Sequence, residues 1–336
     1  QPRIRAEDLL REGTGQDTGD FREVAGQENA KRGAEIAAAG FHNLLMIGPP
    51  GVGKSMVAGR IPGILPPLTL KESLEVTGIF SVAGLLPPGQ ALITRRPFYA
   101  PHHTVTQAAL IGGGSGIPRP GMVSLAHRGV LFLDELPEFR KNVLDGMRQP
   151  MEERKVQIAR SAGMVTYPSD FILVAAMNPC PCGYYPDRNK CRCTQPQIEK
   201  YLGKISGPIL DRIDLCVELH PVDILHLQKT KTEKSSEDMK RQIRHARERQ
   251  AERFAGTDCR FNGDIRSAQV EEYCPLGEEG QKVMEQLYRT LQLSARVYHR
   301  ILKTARTIAD LEDREEITGE HLLEAACYRP SETYWN

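Results

Sequence analysis

The chain has 336 residues and a formal net charge of +1, from 44 Lys and Arg against 43 Asp and Glu. That balance excludes a histone-like basic protein and an acidic tail protein, but not a local nucleic-acid site, since patches rather than totals attract phosphate backbones. Hydrophobic residues at 40% and charged residues at 26% describe a globular chain long enough for about two domains.

Residues 1–20, beginning at Gln1, carry Gly, Thr, Asp and Gln without periodicity. They read as a linker, in a chain excised from a longer one. No apolar run approaches the roughly 18 residues of a membrane span. The expectation is a cytoplasmic protein with no membrane partner.

From 21 to 225, short apolar runs at 44–47, 130–133, 171–176 and 215–219 alternate with helical stretches. Short runs bounded by Gly, Pro or charge suit buried strands of a parallel sheet. Their alternation with helices predicts an α/β sandwich. After the first run comes Gly48-Pro49-Pro50-Gly51-Val52-Gly53-Lys54-Ser55, followed by Met56 and a helix-compatible stretch. This fits the phosphate-binding P-loop, G-x-x-x-x-G-K-[ST], in strand–loop–helix context. Its glycines let N–H groups wrap around phosphates at a helix start. Lys54 is expected on the β- and γ-phosphates and Ser55 on Mg²⁺. No Asn-Lys-x-Asp guanine reader is found, since Asn189-Lys190 runs into Cys191-Arg192. The expected nucleotide is therefore ATP.

Residues 76–128 hold Pro87, Pro88, Pro97, Pro101, Pro118, Pro120 and the triple Gly112, Gly113, Gly114. They predict an insertion of loops and short strands projecting from the core, or a plain surface loop. His102-His103 within it reads as a loop or pore pair, with metal binding as the alternative. The run 130–133 then delivers Asp134 and Glu135 to a strand's C-terminal end, where ligands sit in such sheets. Asp134 is placed to hold Mg²⁺ and Glu135 to orient or deprotonate an attacking water. The stretches 156–159 and 164–167 flank Arg160–Gly163 and predict a hairpin.

Cys180-Pro-Cys182 and Cys191-Arg-Cys193 are able to hold Zn²⁺ tetrahedrally in a structural role, bracing the loop after Asn178. An iron–sulfur cluster and metal-free thiols are the alternatives. Cys216, Cys259, Cys274 and Cys327 lie singly. Beyond 226 the chain is first rich in Lys, Arg and Glu, then helical in spacing at 237–254, 278–292, 295–311 and 318–326, with Thr318 as a cap. Residues 226–336 are expected to form a small all-helical lid domain.

With these motifs the chain resembles the AAA+ ATPases. The resemblance makes Asn178, at the end of the strand 171–177, the sensor-1 residue. It makes Arg212, in Gly207-Pro-Ile-Leu-Asp-Arg212-Ile-Asp214, an arginine finger reaching the neighbouring subunit's nucleotide. The alternative is an Arg paired with Asp211 or Asp214. Arg296, in Leu293-Ser-Ala-Arg296, resembles sensor 2 on a helix lying over the nucleotide. The stretch Asp20 to Gln27 resembles the one flanking the adenine, with Val24 and Gly26 in contact with the base. Insertion and hairpin together are similar to the branch holding the magnesium-chelatase ATPase subunits and the minichromosome-maintenance helicases. The phrases ALIGGG, AHRGVLFLDE, MRQPMEERKV and VAAMNPCPCG resemble one group within it, the magnesium-chelatase-like competence proteins (ComM/YifB). Members carry an upstream Lon-protease-like domain that this chain lacks. The resemblance implies a homo-hexameric ring, with Arg160, Ser161 and the insertion facing its pore. It further implies a motor on single-stranded or branched DNA, active in branch migration during recombination and natural transformation. A chelatase-type or remodelling ATPase acting on a protein partner is the alternative, and a non-enzymatic zinc module is a third reading.

Overall fold

The computed structural model describes residues 18–114, 118–160, 163–222, 234–330 and 332–335. Its centre is a parallel sheet in the order β2-β5-β8-β1-β9. These strands are β1 (Leu44–Ile47), β2 (Phe98–Tyr99), β5 (Val130–Leu133), β8 (Ile172–Met177) and β9 (Leu215–Glu218). The register sets Leu44 beside Val174 on one side and Leu215 on the other, and Val130 beside Ile172. β1, β5 and β8 are buried along their whole length. That burial on both faces is why they read as unbroken apolar runs rather than alternating ones.

Helices cover the sheet. α1 (Glu28–Gly40) precedes β1, and α2 (Lys54–Ile64) follows it directly out of the phosphate loop. The first part of the expected insertion is not loop. Residues 76–83 belong to α3 (Leu70–Ala83), which opens on a reciprocal cap: Glu72 N–H donates to Thr69 Oγ1 at 3.2 Å and Thr69 N–H to Glu72 Oε2 at 3.0 Å. Nor does the insertion simply project. Phe98–Tyr99 joins the sheet as its edge strand beside Val130–Leu131. The Arg96 guanidinium donates to the carbonyls of Pro66, Pro67 and Arg128 and pairs with Glu72 at 3.2 Å, tying the segment to the core. The small ladder β3 (Gly112–Gly113) with β4 (Arg119–Pro120) is the part that matches short strands.

The hairpin forms as expected, β6 (Lys155–Arg160) against β7 (Gly163–Pro168), from Lys155–Pro168 pairing to Arg160–Gly163. Ser161, expected at its tip, lies outside the described residues, as do residues 1–17 of the linker and the boundary at 225/226. Beyond the boundary come α5 (Ser236–Arg253), α6 (Glu278–Thr290), α7 (Ala295–Leu311) and α8 (Gly319–Cys327), with Gln195–Leu202 an earlier helix after the cysteines. Ser235 caps α5, and Thr318 caps α8, its N–H donating to His321 Nδ1 at 3.0 Å. These later helices share one continuous hydrophobic cluster with α1 and the sheet, joining Ile36 and Ala37 to Ile301, Ala305, Ile308 and Leu322. Buried His42 Nε2 meets Thr307 Oγ1 at 2.8 Å across that seam. Among the described residues no helix is long and apolar enough to cross a membrane.

Candidate active site

The P-loop runs from β1 into α2. Gly51 and Gly53 take φ values of +77° and +97°, which L side chains rarely adopt, and Gly53 is the N-cap of α2. The loop can therefore turn its N–H groups inward only with glycine at these points. Lys54, the first residue of α2, is 8% exposed. Its Nζ donates to Gly48 O at 2.6 Å, Pro49 O at 2.9 Å and Asn178 Oδ1 at 3.0 Å. Burial lowers its pKa below the ordinary lysine value, and Asp134 nearby opposes that shift. Ser55 Oγ donates to Asp134 Oδ2 at 2.8 Å, while Asp134 Oδ1 accepts the Glu135 N–H at 2.9 Å. Lys54 and Ser55 follow β1, Asp134 follows β5 and Asn178 follows β8, so three adjacent strands deliver their C-terminal ends to one point. A primary ammonium beside a hydroxyl–carboxylate pair of hard oxygen donors suits a polyphosphate with Mg²⁺.

Glu135 carries a positive φ of 52°, and its carboxylate is exposed. His103 Nδ1 stands 3.0 Å from Glu135 Oε2. His102-His103 lie in a loop, as expected, and that loop, following β2, brings His103 beside Glu135. His102 stacks on it with ring centroids 4.0 Å apart and bonds Thr104 Oγ1 at 2.9 Å. Among the described residues the four-cysteine group is the sole cluster of three or more Cys, His, Asp or Glu close enough for a metal.

Near the loop, Val24 is 2% exposed and belongs to the hydrophobic cluster, and Gly26 packs on Val222. Gln27, which sequence reasoning passed over, ties this stretch to the P-loop: its Nε2 donates to Val52 O at 3.1 Å and to His220 O at 2.7 Å. Met56 faces outward.

Arg212 is not brought into contact with the P-loop. Its guanidinium pairs with Glu152, not Asp211 or Asp214, and donates to Pro208 O. It lines a cavity of about 210 Å³ with Arg154, Asp211, Asp214 and Lys303. Asn43, unremarked in the sequence, holds the segment: its Nδ2 donates to Arg212 O at 2.8 Å, its N–H to Asp214 Oδ2 at 3.0 Å, and its Oδ1 accepts the Leu173 N–H of β8 at 2.9 Å. Burial alone would raise the Asp214 carboxyl, yet Lys303 and His42 hold it far below the usual carboxylate range. Arg296, expected over the nucleotide, pairs instead with Asp211, next to Arg212, because α7 begins beside that segment.

The four cysteines converge. Sγ separations are 3.3 Å for Cys180–Cys182, 3.8 Å for Cys180–Cys191 and 3.6 Å for Cys182–Cys191, and all four sulfurs lie within 4.8 Å of one another. A disulfide needs about 2.05 Å. Four thiolates at about 2.3 Å from a tetrahedral Zn²⁺ would stand about 3.8 Å apart. The cluster fits the second arrangement.

Residues 20–227 match the family model for magnesium chelatase subunit ChlI, and residues 233–329 match the model for its C-terminal part. The chain is 46% identical over 312 residues to YifB of Escherichia coli, covering 92% of this chain and 60% of that protein. It is 43% identical over 322 residues to the competence protein ComM of Haemophilus influenzae, covering 94% and 61%. It is 25% identical over 241 residues to the magnesium-chelatase 67 kDa subunit of Chlorobaculum parvum, covering 66% and 34%. The chain thus spans about 60% of the length of the YifB and ComM relatives it matches.

Proposed function

The chain belongs to the magnesium-chelatase-like AAA+ family of YifB and ComM, and from that membership we propose that it hydrolyses ATP. The observation that carries the reading is a pair of hydrogen bonds from adjacent residues of the phosphate loop, Lys54 to Asn178 and Ser55 to Asp134. On nucleotide binding, Lys54 exchanges the Gly48 and Pro49 carbonyls for β- and γ-phosphate oxygens. Ser55 and Asp134 hold Mg²⁺, which supplies charge neutralisation on the phosphates. Asn178 orients the attacking water, and Glu135 takes its proton. Asp20 to Gln27, with Val24 and Gly26, flank the adenine through backbone and packing. The four cysteines hold Zn²⁺ in a structural role.

Arg212 completes the site of a neighbouring copy in a homo-hexameric ring. Its guanidinium pairs with Glu152 and Pro208 O rather than with its own P-loop, which supports a role in trans, and Arg296 pairs with the adjacent Asp211. The motor acts on branched or single-stranded DNA. The support for that step is the resemblance to the competence group, with the hairpin β6–β7 as the element that would face the pore. A second reading, action on a protein partner, is favoured by the match to magnesium-chelatase models over both halves of the chain.

Purified chain is expected to show Mg²⁺-dependent ATP turnover. Lys54→Ala abolishes nucleotide binding, whereas Glu135→Gln binds and does not hydrolyse. Turnover stimulated by four-way DNA supports the DNA motor. A Glu135→Gln trap that captures a protein and ignores DNA supports the second reading.

A further inference from the structure

Resting on the nucleotide and zinc readings above, we infer that the four-cysteine loop is a metal-stiffened wall of the phosphate-binding loop, so that metal occupancy sets nucleotide affinity. Two contacts carry the coupling. The first is Gly183, immediately after Cys182. Its φ is +87°, and its N–H closes a turn on the Cys180 carbonyl at 3.0 Å. A Cβ at this position would lie 2.5 Å from Pro50 Cδ, 3.0 Å from Pro50 Cγ and 3.8 Å from Asn178 Cγ. The backbone of the cysteine loop thus rests directly on the ring of a P-loop residue, with no side chain between them. Pro49, one residue earlier, gives Lys54 its carbonyl.

The second contact closes the far end. The helix Gln195–Leu202 starts two residues after Cys193, capped at Thr194, whose N–H donates to Gln197 Oε1 at 2.9 Å. From that helix Tyr201 packs into the same buried cluster as Met177, the residue before Asn178. Asn178 in turn holds Lys54. The fourteen-residue span from Cys180 to Cys193 therefore starts two residues after Asn178 and leads into a helix packed beside the end of the same strand, touching the P-loop on the way. Cys180 and Cys191 are buried with Met177, Ile198, Tyr201 and Leu202 in one cluster.

Cross-linking four sulfurs through one ion fixes this span; free thiols, weak hydrogen-bonding groups, hold it far less firmly. Tyr334 packs edge-on against Tyr185 of the same loop, 6.2 Å between centroids, and the chain's one tryptophan, Trp335, lies beside it. Its fluorescence reports on the loop.

The test uses the full chain. Its zinc content is measured, the metal is removed with 1,10-phenanthroline, which spares Mg²⁺, and the affinity for a fluorescent ADP analogue is compared before and after. One zinc per chain is expected. Removal should change Trp335 emission and weaken nucleotide binding roughly tenfold to a hundredfold, restored by zinc. Because stripped protein can unfold, Gly183→Ala is measured in parallel. It keeps all four cysteines and one zinc, yet should weaken nucleotide binding in the same direction. Unchanged affinity in folded zinc-free protein, or in Gly183→Ala, overturns the coupling and leaves the nucleotide reading standing. Native chain that binds no zinc, and gives no tetrahedral thiolate spectrum with cobalt(II), overturns the metal site. Native chain that binds no nucleotide overturns the nucleotide reading and this inference together.

Discussion

At the scale of single residues, chemistry and packing can be separated. His103 touches Glu135 and little else at the site. A carboxylate on an exposed turn samples many rotamers, and an imidazole nitrogen 3.0 Å away restricts that freedom. His103→Ala is predicted to lower kcat by roughly tenfold to a hundredfold, within the range of a mispositioned general base, while leaving nucleotide affinity close to native. Equal loss of binding and turnover would assign His103 to the fold instead. His127 shows the opposite case, a buried histidine that serves structure. Its Nδ1 accepts the Asp170 N–H at 3.0 Å and its Nε2 faces Glu75 at 3.3 Å, so the fold requires the neutral ring. Burial, with Arg128 adjacent, pushes its pKa down to about 4. Below the unfolded value of about 6.5 the unfolded chain therefore binds a proton that the folded chain refuses. The stability this ring contributes is complete above that value and is lost as pH falls towards 4. Glu75 acts in the same direction: burial would raise its carboxyl, but Arg128 and His127 hold it below the ordinary value. Denaturation midpoints should fall between pH 7 and pH 5, and a flat profile there would contradict the assignment.

The P-loop, Asp134, Glu135 and the cysteines were legible because each carries its own local signature, and Asn178 through the family resemblance. Gln27, Asn43 and His103 were not. Each acts through contacts to residues remote in sequence, as Gln27 to Val52 and His220, Asn43 to Leu173 and Arg212, and His103 to Glu135, and no spacing rule marks such a contact.

At the scale of elements, the central strands were legible to within a residue or two, since burial on both faces imposes apolar runs. The insertion was less so. Its prolines and glycines concealed α3, although Thr69 and Glu72 form the capping signature that announces it. The edge strand Phe98–Tyr99 is two residues long, too short for any period, and exists through pairing with β5. The segment after Gly207 is also fixed from outside, by Asn43 and by Glu152. Arg212→Ala should leave nucleotide binding intact and slow turnover by about 10³–10⁵, the range for such a guanidinium. On the proposed role of Arg212 in trans, wild-type subunits mixed in should partly restore the rate. Unchanged turnover would remove Arg212 from the site.

At the scale of the whole molecule, the division into an α/β part and a helical part was legible from composition, and the intimacy of the two was not. The helices from α5 onward bury their apolar faces against α1 and the sheet in a shared cluster, and α7 brings Arg296 to Asp211. Tertiary packing of this kind leaves no mark on local periodicity. It sets Arg296 on Asp211, beside Arg212. The most direct measurement is ATP turnover per chain as a function of protein concentration, with Mg²⁺ present and with Lys54→Ala as the control. The account predicts turnover that rises with concentration as copies assemble and that vanishes in Lys54→Ala. Turnover absent at every concentration, or equal in Lys54→Ala, would contradict it.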